Sequence, residues 1–344
     1  MAALTAVALS PGAASAAEPA QPVTLRYLNA PPDGRPLLRT PKLGISIGGP
    51  VRRAVMDTGS TGVVISASAI PDLAALPDLG PGTLTYSSSG RIMVGRYVRA
   101  SVTIEGADGT RLTTRPLPVL AVTRIDCTRT ARRCRPNPAP NRVAMLGVGF
   151  AREKDHQRGS TPEKNPFLNL PAMGTADAPG PVGRGYVVTR GAVRVGLGAG
   201  DGEGFAQVPL APATVAGDWQ APPACYALAG RTPAACGTIL VDTGVFRSFL
   251  TVPDAQMEGL LSPDGRLTLA PGTQVEVRPA PGAAAPRFGY TVGDRADPVA
   301  PSEVIVVPRP GAPAFLNTSV RVLNAYDYLY DADHGVVGFR PLAR

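Results

Sequence analysis

Two stretches of this sequence set an acid in a context that could do chemistry. Arg53-Ala54-Val55-Met56-Asp57-Thr58-Gly59-Ser60 recurs in outline as Thr238-Ile239-Leu240-Val241-Asp242-Thr243-Gly244-Val245, with the two aspartates 185 positions apart in a chain of 344 residues. Each copy is an apolar run, read as a strand, that delivers an Asp-Thr-Gly turn. A strand ending this way can hold a carboxylate at the floor of a cleft, because glycine permits a tight turn and the threonine hydroxyl can hydrogen-bond across to its counterpart. If two such ends face each other, the carboxyls meet at close range and cannot both ionise, so one keeps a proton and the pair titrates as a unit. One carboxylate can then take a proton from water while the other donates to a carbonyl oxygen. A single Asp-Thr-Gly is also a common surface turn. Recurrence behind two apolar runs, one in each half, is what points to a catalytic pair.

The elements that must position these acids read as strands. Glycine (39) and proline (38) are abundant and spread along the chain, and short runs such as Arg99–Glu105 and Ser302–Val307 are bounded by turn residues. At roughly 150 residues per domain the length predicts two units, each able to bury a core. The formal charge is +8, and all 34 basic residues except Lys42, Lys154 and Lys164 are arginines, dispersed along the chain with aromatics at only 5%. That is a solvated basic surface and not a nucleic-acid stripe.

The N-terminus carries an apolar stretch and then Ala14-Ser15-Ala16, a small-x-small pattern, so residues 1–17 are expected to be a signal peptide and the protein periplasmic or secreted. No later segment reaches the roughly 20 apolar residues of a membrane span. Four cysteines form two local couples, Cys127 with Cys134 and Cys225 with Cys236, in keeping with an oxidising compartment. Three pairings are possible, of which the local one is the most economical. A zinc site is not expected, since neither couple is CxxC and the histidines are His156 and His334 alone. Ser60 and Ser248 have no evident His-Asp partners, and Gly196-Leu197-Gly198-Ala199-Gly200 lacks the context of a phosphate loop.

From about Leu37 to Pro341 the landmarks resemble the pepsin-like aspartic proteases. Asp57-Thr58-Gly59-Ser60 is similar to that family's first catalytic motif, and Tyr86-Ser87-Ser88-Ser89-Gly90 to the hairpin that forms its flap. Ala144-Met145-Leu146-Gly147-Val148-Gly149-Phe150 resembles the apolar-apolar-Gly element behind a catalytic loop, and Tyr330 to Phe339 the closing hairpin. The resemblance implies a mostly β, bilobal acid-protease fold of two pseudo-symmetric, barrel-like lobes, residues 18–185 and 186–344, with a cleft between them. It implies that Asp57 and Asp242 are catalytic, supported by Thr58, Gly59, Ser60, Tyr86, Thr243 and Gly244. It also implies a peptide or unfolded-protein substrate, no metal or cofactor, and a monomer, since one chain holds both motifs.

The sequence departs from that pattern in ways that bear on activity. The family places Ser or Thr after the second Asp-Thr-Gly, donating to the outer oxygen of the adjacent aspartate; here it is Val245, which should raise the pair's pKa on that side. Phe315-Leu316-Asn317-Thr318 carries Asn where the second support element has Gly, so support of Asp242 is expected to be the weaker. Val64 stands where a Trp often bonds the flap tyrosine, leaving Tyr86 to find another partner. Some 40 residues between the expected cleavage site and Asp57 leave little room for an inhibitory prosegment, so no long-prosegment zymogen is expected. Two functions remain: an aspartic endopeptidase, or a catalytically impaired relative that binds peptides or proteins.

Overall fold

Alternating apolar residues punctuated by glycine, proline and asparagine turns make the chain mostly β. The computed structural model describes residues 21–131, 134–153, 155, 157, 159–175, 177–279 and 286–342. The signal peptide expected at residues 1–17 lies outside them, as does His156. In chain order the strands are β1 (Val23–Arg26), β2 (Lys42–Ser46), β3 (Arg52–Asp57), β4 (Thr61–Ser66), β5 (Asp78–Tyr86), β6 (Arg91–Ala100), β7 (Thr103–Glu105), β8 (Arg111–Thr113), β9 (Leu117–Cys127) and β10 (Ala144–Val148). Next come β11 (Gly183–Val188), β12 (Ala192–Leu197), β13 (Ala206–Pro209), β14 (Pro223–Leu228), β15 (Ala235–Leu240) and β16 (Ser248–Thr251). The last are β17 (Gln274–Pro279), β18 (Phe288–Thr291), β19 (Val304–Val306), β20 (Ala314–Asn317), β21 (Tyr326–Asp331) and β22 (Val336–Pro341).

The motif that recurs in the sequence sits on a topology that recurs too. One sheet has the order β5-β6-β9-β4-β10-β3-β2-β7-β8, and another, read from its far edge, the order β19-β16-β20-β15-β14-β17-β18. From β9 and from β19 onward the two agree strand for strand, and in sense as well: β4 with β9 and β16 with β19 are parallel, β10 with β4 and β20 with β16 antiparallel, β10 with β3 and β20 with β15 parallel. What the first sheet adds is the β5–β6 hairpin at its edge.

Burial explains why the central strands hold their register. All six residues of β4 are buried, as expected of a strand covered on both faces, and removing Val63, Val64 and Ile65 from water stabilises by about 1.5–3 kcal/mol each. In β3 Ala54 and Met56 point inward and Arg53 outward, so a one-residue slip would bury a guanidinium; this fixes where Asp57 emerges.

The third sheet, β1-β12-β11-β21-β22-β13, gathers strands from the beginning, middle and end of the chain, and β11 runs through the division expected between residues 185 and 186. Its aromatic residues brace the first sheet. Phe150 stacks on Tyr330 with centroids 4.1 Å apart, Tyr186 meets Tyr330 edge-on at 5.6 Å, and the Tyr186 hydroxyl donates to the Val148 carbonyl at 2.8 Å. Val148 ends β10, the strand that runs beside Asp57.

Both local cysteine couples are bonded, Cys127 to Cys134 and Cys225 to Cys236. The second joins directly opposed residues of β14 and β15, the latter being the strand that leads to Asp242. No helix among the described residues is long and apolar enough to cross a membrane.

Candidate active site

β3 ends on Asp57 with Gly147 of β10 in register beside it, and the chain turns at once into β4. β15 ends at Leu240 and delivers Asp242 two residues later in the same way. The turns are tied to each other. The Thr58 amide donates to Thr243 Oγ1 at 3.0 Å and the Thr243 amide to Thr58 Oγ1 at 3.0 Å, while Thr58 Oγ1 donates to the Val241 carbonyl at 2.5 Å and Thr243 Oγ1 to the Met56 carbonyl at 2.6 Å. Each hydroxyl therefore both accepts from and donates to the backbone of the opposite turn. Both threonines are buried, where leaving any of these groups unpaired would cost about 1–3 kcal/mol.

The glycines serve a purpose that differs from the sequence expectation. Neither Gly59 nor Gly244 has the positive φ of a glycine turn. A methyl group on Gly59 would instead collide with the Asp242 carboxyl, and one on Gly244 with the Asp57 carboxyl. Absence of a side chain at these two places is what lets each acid rest against the opposite turn.

The carboxylates are held by matching but unequal sets of donors. Asp57 accepts from the Gly59 amide at 2.7 Å and from Ser60 Oγ at 2.6 Å. Asp242 accepts from the Gly244 amide at 2.8 Å and from Asn317 Nδ2 at 2.5 Å. Both acids are only 5–6% exposed, and burial raises both above the ordinary carboxylate range. For Asp57 the bonds from Ser60 and Gly59, and the charge of buried Arg152, pull the other way. Asp242 is pushed up to about 8, by burial first and by the neighbouring Asp57 charge second, with Asn317 and Gly244 opposing. The two carboxyls thus titrate as one unit that keeps a proton toward neutrality, with a strong upward push at Asp242.

The acids floor a cleft of about 390 Å³. Val55, Met93 and Met145 line it on one side, Phe249, Ile305 and Phe315 on the other, and Tyr86 to Ser89 come from the tip of the β5–β6 hairpin. Tyr86, expected over the cleft, does line it. Its hydroxyl is buried close to Ser60 yet makes no hydrogen bond, and burial raises it well above the usual phenol range. Val64, in the position where the resembled family often has a bonding tryptophan, packs with Leu84, Met93 and Leu120 in an apolar cluster against which Tyr86 rests. All eight site residues expected from sequence come together here: Asp57, Thr58, Gly59 and Ser60 with Asp242, Thr243 and Gly244, and Tyr86 above them.

Three further residues belong to the site. Gln157 clamps the first turn, its Oε1 accepting from the Thr61 amide and its Nε2 donating to the Gly59 carbonyl, each at 3.1 Å. Arg152 lies buried near Asp57, donating to the Phe150 carbonyl at 3.0 Å and pairing with Asp155 at 3.6 Å. Both come from a polar loop whose sequence carries no motif. The third, Asn317, was noticed but misassigned. It lies opposite Leu240 and Phe249, as Met145 lies opposite Val55 and Val64, so it matches Met145 and does not replace the glycine at 147. Support of Asp242 is therefore not weakened at Asn317 but supplied by it.

Among the described residues no group of three or more His, Cys, Asp or Glu side chains converges as a metal ion would require. No protein-family model matches the chain, and no curated protein matches its sequence.

Proposed function

We propose that the chain is an aspartic endopeptidase of the bilobal, pepsin-like kind, with Asp57 and Asp242 activating a water between them. The observation that carries this reading is the reciprocal threonine bonding that ties the two turns together, with each buried carboxyl resting against the glycine of the opposite turn. The repeated strand order supports two related lobes. The hairpin ending at Tyr86 corresponds to a flap closing on an extended substrate, held by main-chain hydrogen bonds with side chains entering apolar pockets to either side.

In the reaction the water oxygen bonds to the scissile carbonyl carbon as its proton passes to Asp57 and the Asp242 proton passes to the carbonyl oxygen. The resulting diol collapses when Asp57 gives its proton to the leaving nitrogen and a diol hydroxyl returns one to Asp242. Atoms and charge balance, and no cofactor takes part. One chain supplies both acids, so the site needs no second copy. The two disulfides fit a periplasmic or secreted setting. The competing reading, a relative that only binds peptides or proteins, drew on Val245, Asn317 and the missing tryptophan at Val64; Asn317 donating to Asp242 removes one of these three motives.

The test is digestion of an unfolded protein between about pH 3 and pH 7 by the purified chain and by Asp57→Asn. Cleavage by the first and a loss of about 10³-fold or more in the second is expected. Cleavage that survives Asp57→Asn would overturn the reading.

A further inference from the structure

The two halves solve one problem in two ways. In the first, the outer oxygen of Asp57 is held by Ser60, three residues along the same turn, while Met145 occupies the neighbouring strand. In the second, the residue three along is Val245, which has no donor, and the place of Met145 is taken by Asn317, whose amide reaches Asp242 Oδ2 at 2.5 Å. We propose that Asn317 is a positioning residue that has taken over, from the adjacent strand, the duty Ser60 performs within its own turn, holding the outer oxygen of Asp242 so that its inner oxygen faces Asp57. This rests on the reading of Asp57 and Asp242 as a catalytic pair.

The surroundings of Asn317 suit that duty. It is 6% exposed, and its Oδ1 accepts from the Ser319 amide at 2.9 Å, which orients the amide plane so that Nδ2 points at the carboxylate. Ser319, with φ of 60°, turns the chain sharply just beyond, and its hydroxyl accepts from the Arg321 amide at 3.3 Å. The charged group acting on Asp242 is Asp57, which is itself acted on by the charge of Arg152. An amide has a second merit here. Its N–H donors are fixed and cannot take the proton that the pair shares, whereas a hydroxyl could rotate to accept it.

The experiment exchanges one solution for the other. In Asn317→Met the donor is lost and the first half's residue installed; in Asn317→Met with Val245→Ser the first half's whole arrangement is installed. An N–H bond to the charged form lowers a carboxyl's pKa, so its loss in Asn317→Met should move the alkaline limb of the pH–rate profile up by about one unit and lower kcat by about tenfold, with KM changed little. The double variant should bring both back to within about threefold of the parent, which a residue that merely packs or stabilises the turn would not do. Asn317→Asp, nearly isosteric, keeps the acceptor for Ser319 and guards against misfolding of the methionine variant; it should move the limb up further.

An unmoved limb in Asn317→Met and Asn317→Asp would overturn the proposal, as would failure of a folded double variant to recover. If the parent chain cleaves nothing, the peptidase reading fails. The positioning claim is then decided by carbon-13 titration of the Asp242 carboxyl in the parent and in Asn317→Asp, where an equal midpoint would overturn it.

Discussion

Asp242→Asn should abolish hydrolysis and at the same time stabilise the folded chain, increasingly so as pH rises. Folding raises the Asp242 carboxyl from its ordinary 3.8 to about 8, because burial and the Asp57 charge disfavour its ionised form. Between those two values the folded state holds a proton that the unfolded chain releases, so parent stability falls with rising pH across that window. Below about pH 4 both states are protonated and there is no penalty; above about pH 8 the penalty is complete. An asparagine carries no charge to desolvate and escapes it. The variant should match the parent near pH 4 and exceed it by an amount on the order of a few kcal/mol at pH 8, measured by denaturant unfolding at each pH. Activity should drop by about 10³-fold or more, since the proton donor to the carbonyl is gone. A stability difference that does not change with pH would mean that Asp242 does not hold the pair's proton.

Gly244→Ala should cost the activity far more than the fold. Its backbone φ suits any residue, so alanine introduces no local strain, but its methyl group would meet the Asp57 carboxyl. The carboxyl must move, and a shift of about 1 Å in one reacting group costs about 10²-fold in rate. Overpacking of this size destabilises by about 1–3 kcal/mol, which leaves most of a domain's stability in place. Gly59→Ala should behave alike through Asp242. Gly191→Ala, where a methyl group would meet open space and φ is ordinary, should leave both rate and stability as they are. Comparing kcat and unfolding midpoints of the three variants checks this. Full activity in Gly244→Ala would show that Asp57 does not lie against that turn.

How much of this was legible in the sequence depended on what kind of contact was involved. The apolar run Ala54-Val55-Met56 before Asp57, and its echo before Asp242, record burial and period, which side-chain types reveal directly, so the strand ends and the pair were readable. So was the hairpin ending at Tyr86. The disulfide pairing was left open and follows the local couples. The purpose of Gly59 and Gly244 was misread as turn geometry, because the carboxylate that excludes a methyl group comes from 185 residues away. Asn317 was read as a defect for a related reason: its meaning lies in register, and a shift of two residues along β20 turns a lost glycine into a gained donor. Gln157 and Arg152 were not found, since a loop side chain that reaches back to a distant turn leaves no periodic trace.

The two carboxyls of the proposed site should act together on one bound molecule. The direct measurement is calorimetric titration with a peptide mimic that carries a secondary alcohol in place of the scissile amide, so that its hydroxyl takes the position of the activated water. One mimic should bind per chain, with affinity reduced by about 100-fold or more in Asp57→Asn and in Asp242→Asn alike. Binding that is indifferent to either substitution, or that depends on one aspartate alone, would contradict the claim that the two form a single site.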